Sequence, residues 1–343
     1  MNFFAMCNGM FSGSKNIPAR NNFDLVRFCL AMVVCWVHAS ILSGQPALAP
    51  IQDFLSSEIA VQGFFAVSGF LILMSYERSS SMKSYVEKRV RRLVPAYVTV
   101  IVLSALLLSA FSSAQDFFFT RDWWAYLAAN LSYLNFLHPE LPGLFQGNVV
   151  HAVNGALWTL KVEIAFYLSV PALVWIIGRV GAAPVLLSTY VLSSIYASFV
   201  GGPLQHQLPG ELRYFMAGAA CYYGWPYLQN RWKLVAAICV ALFVIGKFIP
   251  LGFIMPAVVG TLVICTGFAL YLGDFGKYGD FSYGVYILHF PIIQTLTQTG
   301  VFERSPWGGL LLAVALTLAG AVILWKLIES RFLRRRNSNL DMA

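Results

Sequence analysis

The sequence predicts an all-α fold: a polytopic bundle of about ten transmembrane helices with both termini in the cytoplasm. Three observations carry that expectation. Of the 343 residues, 58% are hydrophobic and only 11% charged, where soluble domains hold about 45–50% and about 25%. Apolar runs close to the ~20 residues that cross a hydrocarbon core recur along the chain. The 23 basic residues, against 15 acidic ones, fall in short blocks between those runs. With a mean hydropathy of +0.68, there is too little polar surface to coat the chain in water.

Residues 1–22 contain Lys15 and Arg20 but no apolar stretch ending in a small-residue cleavage site. They read as a flexible cytoplasmic tail rather than a cleaved signal. The membrane part, 23–330, holds apolar runs near 24–43, 57–76, 93–112, 155–177, 182–200, 210–228, 234–250, 253–272, 281–299 and 307–328. A basic cytoplasmic tail follows over 331–343. An eleventh candidate, 122–138, includes Trp123, Trp124, Tyr126, Asn130, Asn135 and His138. That content suits an interfacial or re-entrant element as well as a span.

Charge decides the count. Ten spans place Lys15, Arg20, the cluster from Arg78 to Arg92, Arg179, Arg231, Lys233, Lys277 and the Arg331–Arg336 tail in the cytoplasm. An eleventh would export everything basic after it, which the positive-inside rule opposes. Residues 113–154 are then a long extracytoplasmic loop, re-entrant or interfacial in part. Connections beyond about 12–15 residues carry function or structure of their own, so this one is a lid, a vestibule or a surface decoration.

Several functions drop out. The basic blocks lack the aromatic interleaving of a nucleic-acid surface, so no nucleic-acid partner is expected. Cys29, Cys35, Cys221, Cys239 and Cys265 sit inside apolar runs, where cysteine acts as a small hydrophobe. No spacing suggests a disulfide or a zinc site, so no metal is expected. No internal repeat supports an inverted-repeat transporter.

Ionisable groups inside spans are costly and face a bundle interior or a wet cavity. The first span holds Asp24, Arg27 and His38. Arg27 and His38 are eleven residues apart, nearly on one helix face and about 16 Å apart along the axis. Arg27 either snorkels at the boundary or serves the site; His38 is either a bonded interior residue or a reactive one. The fourth span opens Trp158-Thr159-Leu160-Lys161-Val162-Glu163. If it enters from outside near residue 155, Glu163 lies about 12 Å below that surface, near the depth of His38. A carboxylate there would orient the imidazole, or else Lys161 and Glu163 staple helices together. Ser68-Gly69 in the second span permits close helix approach. In the ninth span Tyr286 and a buried His289 precede Pro291, whose kink opens backbone polar groups. Arg89 and Arg92 share a face at the start of the third span and suit phosphates, as does any basic cytoplasmic loop.

These segments, in this order, resemble the integral-membrane acyltransferase-3 family from about residue 22 to 330. Phe23-Asp24-Leu25-Val26-Arg27 through His38 resembles its first-helix Arg-x10-His signature. Phe64-Phe65 with Ser68-Gly69-Phe70 resembles its Phe-Phe-x-x-Ser-Gly-Phe helix, and Lys88-Arg89 with Arg92, Pro95 and Tyr97 its basic third-helix start. Trp158 with Glu163, Phe166 and Tyr167 is similar to its Trp-Ser-Leu-x-x-Glu-x-x-Phe-Tyr segment. Ser282-Tyr283, Tyr286, His289 and Pro291 resemble its late Ser-Tyr-x-x-Tyr-Leu-x-His stretch. Thr159 replaces the usual serine and keeps the hydroxyl; Glu329-Ser330-Arg331 stands where Glu-x-Pro is common, so the last helix should end differently.

The resemblance implies transfer of an acyl group, commonly acetyl, from cytoplasmic acyl-CoA to a hydroxyl of a cell-envelope or secreted glycan. O-antigen, exopolysaccharide and peptidoglycan-related sugars are typical acceptors, and a bacterial inner membrane is the expected setting. It implies a catalytic group of His38, Glu163 and Arg27, with His38 the base or acyl carrier, and donor contacts at Arg89, Arg92 and Tyr97. Ser68, Trp158, Tyr286 and His289 would line the substrate path. No soluble hydrolase-like domain follows the membrane part, so a single-domain form is expected, with any second enzyme on another chain. The rival from another class is a transporter or flippase for a lipid-linked sugar.

The topology is open to test. Single cysteines placed in 113–154 should react with an impermeant maleimide on intact cells, and those placed in 78–88 only after permeabilisation. External labelling of a cysteine introduced after Arg336 would refute ten spans.

Overall fold

A computed structural model of the chain describes residues 17–334 apart from 19 and 270. Most of the expected N-terminal tail, with Lys15, and the tail's Arg335 and Arg336 lie outside the described residues. All regular elements among the described residues are helical. In chain order they are α1 (Phe23–Ser43), α2 (Pro50–Phe54), α3 (Ser57–Glu77), α4 (Met82–Leu107) and α5 (Arg121–Leu131). Then come α6 (Trp158–Val180), α7 (Ala182–Phe199), α8 (Leu208–Tyr223), α9 (Trp225–Leu228), α10 (Trp232–Ile245) and α11 (Met255–Gly267). The last four are α12 (Ser282–Gln298), α13 (Val301–Arg304), α14 (Pro306–Leu324) and α15 (Ser330–Arg334), with a π-helical turn, Trp325–Glu329, joining α14 to α15.

Six of the described helices are long and apolar enough to cross a bilayer: α1, α3, α4 with its extension to Phe111, α6, α7, and α14 with its extension to Leu333. The chain is therefore a multi-pass membrane protein. The four other expected spans coincide with helices of 16, 14, 13 and 17 residues, α8, α10, α11 and α12. Sequence breakers shorten the first three, whereas α12 keeps its expected bounds to within a residue at each end. Gly224 caps α8, Gly246 caps α10, and Pro256 sits in the first turn of α11.

The chain divides into two compact units, and the division falls inside α1, α3, α4 and α6. One unit holds the chain up to Arg27, Val61–Glu87 and Val162–Phe275. There α7 packs on α8, and α11 on both α8 and α10. The crossing of α3 and α8 is closer still. A Cβ at Gly69 would run into the carbonyl oxygen of Phe215, and one at Gly218 into that of Ala66. Two backbones touch because neither carries a side chain at the contact. Aromatic rings fill the space beside it: Phe166 stacks on Phe215 at 4.5 Å, and Phe70 meets Phe23 at 5.4 Å and Phe268 at 5.6 Å. Pro171 cannot donate to the carbonyl of Tyr167 four residues back. The hydroxyl of Tyr85 donates to it instead, at 3.0 Å.

The other unit holds Phe28–Ala60, Lys88–Lys161 and the chain from Gly276 onward. Here α12 packs on α14, and α4 and α12 run parallel. The Tyr283 hydroxyl donates to the carbonyl of Leu93 at one end of the pair, and the Gln298 amide to that of Phe111 at the other. The long connection over 113–154 folds against both. Thr120 caps α5 by accepting from the Trp123 amide. The Trp123 indole then donates to Ala105 O at 2.9 Å, and the Tyr97 hydroxyl to Asn130 O at 2.7 Å, so α5 lies antiparallel along α4. Its far end turns at Tyr133, in the left-handed region at φ 59° and stacked on Tyr97 at 4.1 Å.

From Phe145 the chain descends along α12. The Phe145 amide donates to the Gln298 side chain at 3.0 Å, Gln294 donates to the carbonyl of Ala152 at 2.8 Å, and Asn154 donates to that of Ile287 at 2.8 Å. Eleven residues of helix separate Gln298 from Ile287, about 16 Å. α6 starts part-way along α12, carried there by an irregular segment that hydropathy does not register, so the depth expected for Glu163 is counted from the level of Ile287 rather than from the end of α12.

The backbone crossing at Gly69 makes a direct stability prediction. Gly69→Ala should lower the stability of the folded protein by about 1–3 kcal/mol or more, as overpacking does. Gly178→Ala in α6, where a Cβ would meet nothing within 4 Å, should not. Thermal unfolding of the purified variants in detergent measures both.

Candidate active site

The polar centre of the second unit is a pair of imidazoles. His38 Nδ1 lies 2.8 Å from His289 Nε2, with the rings stacked at 5.0 Å. His289 is wholly buried, whereas His38 is half-buried. The other nitrogen of His289, Nδ1, lies 3.2 Å from the carbonyl oxygen of Val285. A carbonyl only accepts, so Nδ1 of His289 carries the proton, and its Nε2, in the neutral ring, is an acceptor. His38 Nδ1 must then donate. That leaves the lone pair of His38 on Nε2, the tautomer a general base requires. In this pair a neutral imidazole does what a carboxylate does in a Ser-His-Asp triad: it fixes tautomer and ring plane.

Neighbouring residues hold the pair in place. Phe290 meets His38 edge-on at 5.6 Å. It can do so because position 155 is glycine; a Cβ there would lie 2.8 Å from the Phe290 ring. One residue earlier, Asn154 donates to Ile287 O. Pro291 leaves that carbonyl without its helical partner, so the backbone acceptor opened by the proline is filled by a side chain. The Tyr286 hydroxyl pairs with Thr159 Oγ1 at 2.8 Å, and Thr159 in turn donates to Ala156 O at 3.1 Å. The hydroxyl that replaces the expected serine is thus in use, and Trp158 beside it is half-buried.

At the start of α12, Arg92 reaches two carboxylates, Asp280 at 2.6 Å and Glu329 at 3.4 Å, and lies 5.7 Å from the centre of the Tyr283 ring. Asp280 uses its second oxygen on the amide and hydroxyl of Ser282, capping α12. Glu329 closes the π-helical turn and is 1% exposed. In the first unit, Ser68 donates to both oxygens of Glu163 at 2.9 Å, and Arg27 pairs with Asp24 at 3.6 Å.

A family model described as an acyltransferase domain matches residues 20–326. The chain belongs to the acyltransferase-3 family. Its relatives include proteins named as O-acetyltransferases. It is 28% identical over 339 residues to an O-acetyl transferase of Shigella phage Sf6, covering 94% of this chain and 98% of that one. It is 28% identical over 352 residues to nodulation protein 10 of Rhizobium leguminosarum bv. viciae, covering 93% and 95%. It is also 26% identical over 328 residues to the peptidoglycan O-acetyltransferase OatA of Listeria monocytogenes, covering 79% of this chain and 50% of that one. No solved structure matches the chain. The protein is thus an acyltransferase enzyme.

Within this acyltransferase-3 chain the sequence-derived site residues separate into groups. His38 and His289 meet directly, with Tyr286 and its partner Thr159 one turn away. Ser68 and Glu163 meet in the other unit, where Arg27 pairs with its own helix neighbour. Arg92 meets acidic residues, and Tyr97 serves the turn after α5. Arg89 lies one turn before Arg92 on α4. Sequence reading passed over Asn154, Gly155 and Asp280 and attached no role to Glu329. Asp280 stood two residues before Ser282, a helix-capping signal; Asn154-Gly155 reads in sequence only as a turn.

Arg92 bears two buried or half-buried carboxylates, so its loss should be felt in folding. Arg92→Met should cost about 3–5 kcal/mol, as removing one member of a buried charge group does. The triple variant Arg92→Met, Asp280→Asn, Glu329→Gln should recover much of it. Melting temperatures in detergent decide the matter; equal stability of the single variant and the parent would show the cluster to be solvated and dispensable.

Proposed function

We propose that this acyltransferase moves an acyl group, acetyl by the names of its relatives, from cytoplasmic acyl-CoA to a hydroxyl of a cell-envelope or secreted glycan, with His38 as the reacting side chain. The observation that supports it most is the hydrogen bond from His38 Nδ1 to His289, because it leaves Nε2 with its lone pair. In direct transfer, Nε2 takes the proton of the sugar hydroxyl as that oxygen attacks the thioester carbonyl. The tetrahedral intermediate then expels the thiolate, which leaves as a thiol with the proton His38 gained. In the relayed route Nε2 attacks the thioester carbonyl and the C–S bond breaks, releasing the thiolate. The sugar hydroxyl then attacks the acyl-imidazolium, the acyl–Nε2 bond breaks, and the hydroxyl proton passes to the freed Nε2. Both begin at the same nitrogen. Either way the cation or acyl-imidazolium formed on His38 keeps its Nδ1–H on a neutral acceptor, a bond that strengthens as the ring gains charge.

Other assignments follow the family segments in which the residues stand. Arg27 and Glu163 complete the catalytic group, Glu163 with its carboxylate bonded to Ser68, and Trp158 and Tyr286 line the acceptor path. Donor phosphates fall to the basic start of α4, with Tyr97 deeper in the same helix. Arg89 is tested there because loss of Arg92 would also disturb its pairing with Asp280 and Glu329. The reading includes ten spans, cytoplasmic termini, a bacterial inner membrane, and α5 as a re-entrant element beside α4. No metal takes part.

Purified protein given labelled acetyl-CoA and a panel of envelope glycans provides the test. His38→Ala should remove about 10²–10⁴-fold of the transfer rate while the protein folds and retains donor. His289→Gln, whose amide oxygen still accepts, should lose less than His289→Ala. Arg89→Gln should raise the KM for donor with kcat nearly unchanged. Near-normal acylation by His38→Ala would move the chemistry to another group, and substrate movement without acylation would mark a transporter.

A further inference from the structure

A cavity in the first unit has no place in the chemistry above. It measures about 800 Å³ and is walled by α7, α8, α10 and α11, with Leu186, Met216 and Val235 on its sides. Tyr190 lines one end; its hydroxyl donates to Phe253 O and accepts from the Ala257 amide, tying α7 to the start of α11. The other end is open and carries Tyr227 and Arg231, both exposed. Lys233 and Arg179 stand near that end in sequence, and between Glu163 and Asp274 the chain has one acidic residue, Glu211. Glu211 lies in the first turn of α8, the opposite end from Tyr223. The carboxylate near the open end is Glu77, already bonded to the hydroxyls of Tyr222 and Tyr223.

Length and charge together identify an occupant. From Ala182 beside Arg231 to Tyr190 at the far end of the lining, α7 rises eight residues, about 12 Å. One leaflet of a ~30 Å hydrocarbon core is about 15 Å deep. The groove is therefore an apolar slot one leaflet long, open beside an arginine on the side that the basic loops assign to the cytoplasm. We propose that it binds one acyl chain of an anionic glycerophospholipid of that leaflet, with the lipid phosphate against the guanidinium of Arg231 and the glycerol beside Tyr227. Phosphatidylglycerol and phosphatidylethanolamine both offer that phosphate to a guanidinium, but the ammonium of phosphatidylethanolamine cancels its charge and is repelled by Arg231, so the anionic lipid is favoured. The site is independent of acyl transfer.

Lipid retention tests it directly. Full-length protein is exchanged into phosphatidylethanolamine with or without phosphatidylglycerol, washed in detergent, and weighed by native mass spectrometry. The parent should retain one phosphatidylglycerol in preference to phosphatidylethanolamine. Arg231→Gln should lower that retention at least fivefold and leave phosphatidylethanolamine unchanged. Ala183→Phe, which fills the open end and keeps Arg231, should lower both. Lys247→Gln, a lost charge away from the groove, should change neither. Equal retention of the two lipids by the parent, full retention by Ala183→Phe, or the same loss in Lys247→Gln and Arg231→Gln would overturn the proposal. So would a groove filled by a second copy of the chain, seen as a dimer mass that Ala183→Phe abolishes.

Discussion

A single hydrogen bond between two neutral rings organises the second unit. His289 is buried with both nitrogens committed, one to Val285 O and one to His38, and the direction of each bond follows from what a carbonyl can do. The arrangement is sensitive to position because orientation, rather than charge, is what the buried partner supplies. Two stacked imidazoles hold their geometry only while the helices bearing them hold theirs. Much of the unit can be understood as doing that. The rungs at Leu93 and Phe111 tie α4 to α12, the segment from Phe145 to Asn154 is laid along α12, and Gly155 lets Phe290 close against His38.

The charged group at Arg92 belongs to the same logic. Guanidinium and carboxylates away from water stabilise little against a well-packed apolar alternative, but they specify which elements meet. Asp280 both accepts from Arg92 and caps α12, so one side chain sets where that helix begins and what it begins beside. The π-helical turn at Trp325–Glu329 delivers the second carboxylate. Such a turn interrupts α-helical hydrogen bonding to place a side chain, in keeping with the absence of a proline after Glu329 and with a helix that continues into α15.

Much of this was legible in the sequence. Hydropathy and charge blocks gave the all-helical membrane fold, and the residues that meet at the centre, His38, Tyr286 and His289, stood in the segments that pointed to the family. What hydropathy could not register is the path of the chain between spans. Residues 145–154 mix apolar and polar side chains in an irregular path, and nothing in their periodicity says that Gln294 and Ile287 will take them. Helix length was overestimated for α8, α10 and α11 because apolar composition runs past the glycines and the proline that bound them. The pairing of Ser68 with Glu163 was hidden for another reason: a serine beside a glycine reads first as a packing contact, and here it is that and a hydrogen-bond donor.

The two prolines at 171 and 291 share a feature whose consequence concerns the order of synthesis. Each frees a carbonyl inside a helix, Tyr167 O in one case and Ile287 O in the other. Each carbonyl receives its donor from a segment earlier in the chain, Tyr85 and Asn154 respectively. When α6 and α12 emerge from the ribosome and enter the bilayer, the donor that each broken helix needs has already been made. An exposed acceptor in hydrocarbon is costly, and a nascent helix with its donor upstream never has to wait in that state for residues not yet translated. Reversing the order of donor and proline, as a circular permutation would, leaves the finished contacts the same and changes only how long the carbonyl stays bare.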